Sequence, residues 1–166
     1  TPRWESLESL GKGDVWVGDA MGLNRVSTGG DVVFSRILTL GAAGLVTDGA
    51  VRDGHKVVKY GFPVFAGGST PTIGESHILP YQVNEPIQCG GVLVWPGDLI
   101  IGDDDGVVVL PSQHAEEITK EAIRHDEMEE ALLAHTQHKR VSPKQFYPFN
   151  VETEKIYQTW KRDKNG

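Results

Sequence analysis

Between Gly13 and Pro111 the chain alternates short apolar runs with Gly, Asp and Pro. Val15-Trp16-Val17 reads as a strand. Val32 to Leu40 places its apolar residues at helical spacing, and Gly41 and Gly44 supply the stop. Ala43 to Val46 reads as a buried strand closed by Asp48-Gly49, and Pro63 to Ala66 as another, bounded by Gly67-Gly68. Val92 to Trp95 and Leu99 to Ile101 flank a Pro96-Gly97-Asp98 turn, and Val107 to Leu110 closes the series. Strands and helices alternate early, and strands dominate later. Gly13-Asp14 before Val15-Trp16-Val17, with Gly18-Asp19 after it, is echoed by Gly97-Asp98, Leu99-Ile100-Ile101 and Gly102-Asp103. Two hairpin edges with the same turn chemistry account for the echo better than a duplication.

After Pro111 the pattern changes. Ser112 is a candidate N-cap, and Ala115, Ile118, Ala122, Ile123, Leu132 and Leu133 lie near helical spacing among charged residues. The spacing predicts a long amphipathic helix to about His138, interrupted near Asp126. Beyond it, Phe146, Tyr147, Phe149, Tyr157 and Trp160 are too many aromatics for a free tail. They are expected to pack on the body or on a neighbouring subunit. The domain expectation is therefore a body over 1–138 and a C-terminal arm over 139–166.

Composition narrows the function. The 166 residues suit one domain with a sizeable core. Glycine, at 20 residues, implies tight turns and close backbone approaches of the kind used to bind small anions. A formal net charge of −7 argues against a nucleic-acid-binding surface. Lys161 to Lys164 forms a short basic run that reads as solvated tail. The lone Cys89 leaves no disulfide framework and no CxxC metal site, and reads as a small buried residue. No apolar run approaches the ~18 residues of a membrane span, and no signal peptide is visible. The expectation is a cytoplasmic protein without a membrane partner.

The stretch that carries chemistry runs from Gly29 to Asp53. Gly29-Gly30-Asp31 is followed by twenty residues and then Arg52-Asp53, with Gly44 to Val51 leading into the pair. A Gly-rich loop opening a helix presents N–H groups and a partial positive charge to an anion. Arg52 offers a fork of donors for a carboxylate or a developing oxyanion. Asp53 offers a hard oxygen ligand for Mg²⁺ or Mn²⁺. Alone, Asp31 would read as a helix cap and Arg52-Asp53 as a surface ion pair. Asp48 stays open between a turn residue and a functional one. Asp103-Asp104-Asp105 reads as a solvated turn, His55 and His77 (with Glu75) as loop residues, and Gly67 to Thr70 as a turn.

An Asp, twenty residues and Arg-Asp, as at Asp31, Arg52 and Asp53, resembles the metal-dependent branch of the RraA-like family, the 4-hydroxy-4-methyl-2-oxoglutarate/4-carboxy-4-hydroxy-2-oxoadipate aldolases. The run from Gly44 to Asp53, the Pro96-Gly97-Asp98 turn, Gly102-Asp103 and the run from Gly106 to Pro111 are similar to that family's motifs, and the likeness spans about residues 10–160. The resemblance implies an α/β fold of the swivelling β/β/α type, with a central sheet flanked by helices and a C-terminal helical arm, assembled as a homotrimer or homohexamer. It implies that Asp53 binds a divalent metal and that Arg52 contacts the 2-oxo acid and stabilises the enolate oxygen. The amides of Gly30, Asp31, Val32 and Val33 would hold the substrate carboxylate, and Asp31 would position or deprotonate a water. Retro-aldol cleavage and oxaloacetate decarboxylation share that enolate. The resemblance implies an N-terminal segment that this chain is expected to lack. Acidic groups from there and from a neighbouring subunit contribute to the metal site. The alternative is a regulator that binds and inhibits an RNA-degrading endonuclease; regulator-type members lack the complete Asp and Arg-Asp set. Related chemistry on another 2-oxo acid is a third reading.

Overall fold

The structure is a computed structural model describing residues 1–137 and 139–164. The helix end expected at His138 and the arm's last residues, 165–166, lie outside the described residues. The chain divides into two compact units, Thr1–Ser112 and Gln113–Gly166. The division falls before the long helix, which belongs with the C-terminal segment.

In the first unit, β1 (Val15–Gly18), β2 (Gly44–Val51) and β3 (Val64–Ser69) form a parallel sheet in the order β1-β2-β3. Helices α1 (Pro2–Glu8), α2 (Asp31–Thr39) and α3 (Gly54–Val57) accompany it. Two antiparallel hairpins follow, β4 (Ile87–Cys89) with β5 (Val92–Val94) and β6 (Leu99–Asp103) with β7 (Gly106–Leu110). This is the mixed α/β architecture that the sequence predicts. Helix α1 was not legible there; Pro2 starts it at a position that needs no N–H.

The core lies between sheet and helices. Helix α2 turns Val33, Phe34 and Ile37 inward against Leu45 and Val51 of β2, Leu7 of α1 and Val57 of α3. Phe34 and Ile37 are fully buried. Glu8 and Arg36 tie α1 to α2 through two hydrogen bonds, which hold the glutamate below its usual range and raise the arginine. At the end of α2, Gly41 adopts the left-handed conformation that stops the helix.

Strand β2 is longer than expected. It passes through Asp48-Gly49 instead of ending there, with a register shift against β3 between Thr47 and Ala50. Gly49 is needed for close approach, since a Cβ there would lie 2.5 Å from Ala20 Cβ. Asp48 is a structural hub: its carboxylate accepts from the N–H groups of Ala20 at 2.7 Å and Gly22 at 3.1 Å. Longer contacts, each 3.4 Å, come from Gly90 N–H and Gln88 Nε2. Strand β3 likewise runs through Gly67-Gly68, so Gly67 to Ser69 is strand and not the turn that its composition predicts. The echoed segments share one turn. Gly13 and Gly97 both have positive φ, and Asp14 and Asp98 each accept from the N–H three residues earlier, at 2.7 and 2.8 Å. They differ in pairing, because β1 joins the parallel sheet and β6 a hairpin.

In the second unit, α4 (Ala115–Thr136) is continuous through Asp126, which points to solvent; no Gly or Pro interrupts the segment. Ser112 does not cap it. A 3-10 turn over Ser112–His114 precedes it, and His114 occupies the cap position without a side-chain bond. Helix α5 (Val151–Lys164) starts where Asn150 Oδ1 accepts from the N–H groups of Glu152 and Thr153. Arg124, Glu127 and Glu130 of α4 pair in order with Glu154, Lys161 and Lys164, so the two helices run in the same direction. Met128 and Ala131 bury against Tyr157, with Phe149, Ile156 and Trp160 packed around them. Tyr157 and Lys161 hydrogen-bond Glu127 and hold its carboxyl below the usual range. The tail aromatics Phe149, Tyr157 and Trp160 thus find partners on α4.

Phe34→Ala should cost about 3–5 kcal/mol, because it removes the largest fully buried side chain of the first unit's core. Urea denaturation followed by tryptophan fluorescence measures this.

Candidate active site at the start of helix α2

The extension of β2 builds the site. Thr28 N–H donates to Ala50 O at 2.8 Å, and Arg52 N–H donates to Gly29 O at 3.0 Å. This short ladder lays residues 28–30 along 50–52. Gly30 follows in extended backbone as the cap residue, and α2 begins at Asp31. An acid at the first helical position meets the positive end of the helix dipole. The N–H groups of Asp31, Val32 and Val33 fall in the first turn, where helices have no internal acceptor. Asp31 Oδ1 accepts from Val32 N–H at 3.0 Å. Val32 is exposed, whereas Val33 is buried in the core and anchors the turn.

On the facing strand exit, Asp53 adopts a left-handed conformation, φ 60° and ψ 20°. For a residue other than glycine this costs roughly 1 kcal/mol, less for Asp than for bulkier types. The conformation turns the chain into α3, and Asp53 O accepts from the N–H groups of Lys56 at 2.8 Å and Val57 at 3.4 Å. Arg52 Nε lies 3.4 Å from Asp53 Oδ2. Gly30 abuts both: a Cβ there would sit 2.7 Å from Arg52 Nε and 2.9 Å from Asp53 Oδ2. Gly30, Asp31, Arg52 and Asp53, singled out from the sequence, therefore meet at one place.

Lys56 was not singled out. Its ammonium donates to Asp31 Oδ2 at 2.7 Å. That bond holds Asp31 below the ordinary carboxylate range and lifts Lys56 above the ordinary lysine range. Its sequence signal was a lysine one turn beyond Asp53. The partner lies 25 residues away, so only the tertiary fold discloses the pair. The site is an open shelf, with side chains exposed by 27% at Asp31, 35% at Arg52, 28% at Asp53 and 45% at Lys56.

Other candidates fall elsewhere. His55 is exposed on α3, and Glu75 pairs with Arg3 at 3.6 Å. Asp103 Oδ1 closes its own hairpin turn on the N–H groups of Asp105 and Gly106. Cys89 is half-buried beside Gly18 O, and burial pushes its thiol up. Among the described residues, no group of three or more His, Cys, Asp or Glu is placed to hold a cation. Asp53 offers a carboxylate oxygen of the kind a hard divalent cation accepts.

Residues 3–109 match the RraA-like family, described as Aldolase/RraA. The chain belongs to the RraA-like family. A Halalkalibacterium halodurans protein, named as a candidate 4-hydroxy-4-methyl-2-oxoglutarate aldolase, is 41% identical over 127 residues, which are 76% of this chain and 60% of that protein. The crystal structure of Streptomyces coelicolor RraAS2, described as an unusual member of the RNase ES inhibitor RraA protein family, superposes with a TM-score of 0.72 at 39% identity. It covers 76% of this chain and 65% of that one. An uncharacterized protein from Pseudomonas syringae pv. tomato gives a TM-score of 0.76 at 26% identity, over 83% of this chain and 68% of that one. The matched stretch spans about 60% of the Halalkalibacterium protein. These RraA-like neighbours confirm the fold expected from the resemblance. No helix among the described residues is long and apolar enough to cross a membrane.

Gly30→Ala is expected to displace the Arg52 and Asp53 side chains while lowering the melting temperature only slightly, because the obstructing atoms belong to side chains that can move. The Arg52 Nε–H resonance should shift in a ¹H–¹⁵N spectrum. The Asp31–Lys56 pair sets a pH dependence. Asp31 is depressed, so its contribution is present at neutral pH and lost as pH falls through its folded value. Lys56 is raised, so its contribution is lost as pH rises through its own. The stability difference between the parent and Lys56→Met should be largest near neutrality and vanish at both extremes, as read by urea melts across pH.

Proposed function

We propose that the protein is a subunit of a divalent-metal-dependent carbon–carbon lyase that acts on 2-oxo acids through a pyruvate enolate. The convergence of Gly30, Arg52 and Asp53 at the opening of α2, with Asp31 beside them, carries this reading. The name of the Halalkalibacterium relative supports it and suggests 4-hydroxy-4-methyl-2-oxoglutarate as a substrate. Oxaloacetate, which reaches the same enolate by losing carbon dioxide, is the second candidate.

The residues divide the work by chemistry. First-turn amides at Gly30, Asp31 and Val33 receive the carboxylate of the 2-oxo acid, while the Val32 N–H stays on Asp31 Oδ1. The Arg52 guanidinium faces the oxygen on which charge develops when the C–C bond breaks, where a fixed donor is most effective. Asp31 accepts a hydrogen bond from a water that takes the substrate's hydroxyl proton as the C–C bond breaks and returns a proton to the enolate carbon. Asp53 would hold Mg²⁺ or Mn²⁺, with the remaining ligands from water or a second chain of a trimer or hexamer. Such a cation, when bound, supplies Lewis-acid polarisation of the 2-oxo group.

A second reading, an inhibitor of an RNA-degrading endonuclease, is favoured by the likeness to RraAS2. The Asp31 and Arg52-Asp53 constellation weighs against it, since protein binding does not require a carboxylate and a guanidinium beside an anion-receiving helix start.

Pyruvate release from 4-hydroxy-4-methyl-2-oxoglutarate and from oxaloacetate, followed with and without Mg²⁺ or Mn²⁺, should show metal-dependent turnover of at least one. Arg52→Ala and Asp53→Ala should each lower kcat/KM by about 10²–10³-fold with an unchanged circular dichroism spectrum. Absence of metal-dependent turnover, together with endonuclease capture that survives Asp53→Ala, would favour the inhibitor.

A further inference from the structure

The Asp31–Lys56 pair has more order than a surface ion pair needs. Both oxygens of Asp31 are engaged, Oδ2 by Lys56 Nζ at 2.7 Å and Oδ1 by Val32 N–H at 3.0 Å. Both residues are placed by the backbone of the site, Asp31 directly after Gly30 and Lys56 through its own N–H on Asp53 O. Exposed pairs add little stability, so a contribution to folding does not account for the arrangement. The neighbouring charges suggest what does. Asp31 also feels the attraction of Arg52, while Lys56 feels Asp53 and Tyr60. Besides Lys56, the cation that acts on Asp31 is Arg52, the group needed for the substrate.

We propose that Lys56 is a positioning residue that pins the Asp31 carboxylate in one orientation and keeps it from pairing with Arg52. An ionised carboxylate has about four acceptor directions. Two are used by Lys56 and Val32, which leaves the remainder for a water. Asp31 is thereby kept as an acceptor that orients the proton-delivering water, while the Arg52 fork stays available to a substrate oxyanion. The water's role rests on the lyase reading; the pinning of Asp31 does not.

The test uses the full chain with Mg²⁺ supplied, as the parent, Lys56→Met, Lys56→Arg, Asp31→Asn and the Asp31→Asn/Lys56→Met double variant. A ¹³C carboxyl titration of Asp31 needs no turnover. Its midpoint should rise in Lys56→Met and return toward the parent value in Lys56→Arg; a midpoint unmoved by Lys56→Met overturns the proposal. In pyruvate release, Lys56→Met should lower kcat at least about tenfold with little change in KM, as expected for a misplaced group, and Lys56→Arg should recover most of it. In the Asp31→Asn background the same change should cost under about twofold, because Lys56 acts through Asp31. Equal losses in both backgrounds, or a loss confined to KM, would mean that Lys56 meets substrate directly and would overturn the positioning role. A parent that releases no pyruvate would defeat the lyase reading, and the carboxyl titration would still decide whether Lys56 pins Asp31.

Discussion

Two backbone hydrogen bonds hold the candidate site together: Thr28 N–H to Ala50 O, and Arg52 N–H to Gly29 O. They exist because β2 does not stop at Asp48-Gly49. Beyond Thr47 the strand leaves β1, shifts its register against β3 while still pairing with it, and takes residues 27–29 as a new neighbour. That exchange brings a helix start and a strand exit, separated by twenty residues of sequence, into contact. Asp48 secures it from below by bonding loop amides on either side, and Gly30 admits the close approach of Arg52 and Asp53 from above. Remove the extension of β2 and the charged residues remain, but nothing directs them at a common point.

Periodicity disclosed most of this architecture. Helix α2 and the short strands stood out because their apolar residues repeat at the spacing of the element they form. Where the reading stopped short, long-range contacts overrode local signals. Asp48-Gly49 looks like a turn because both residues favour turns, yet Gly49 lies against Ala20 and the Asp48 side chain finds its partners in distant loops. Gly67 has the same disguise: a Cβ there would come 2.4 Å from Asp48 O, so the glycine serves sheet packing. Helix α3 is a single turn, too short to show a period, and with it Lys56 went unremarked.

The site residues became legible for a different reason. Spacing, not periodicity, distinguished Asp31 and Arg52-Asp53, and spacing gains meaning only through likeness to a family. Residue types alone left Asp31 as a cap and Arg52-Asp53 as a surface pair. What no linear reading contained was the mutual geometry, namely Gly30 against both side chains of the pair and an ammonium held on Asp31. Openness belongs to the same category. Every charged member of the cluster is part-exposed, so a lyase operating here requires substrate, cation or a further chain to exclude water from the shelf.

The left-handed backbone at Asp53 bears on how such a scaffold diversifies. That conformation is tolerated by aspartate and, for the same steric reason, by asparagine, and both side chains can bond their own backbone. An exchange between them replaces a carboxylate oxygen with an amide nitrogen and leaves the turn into α3 undisturbed. A lineage can therefore shed or regain the anionic charge at this point in one mutational step, without passing through an unfolded ancestor. In that sense the backbone is neutral ground, on which cleaving and merely binding descendants can share one ancestry.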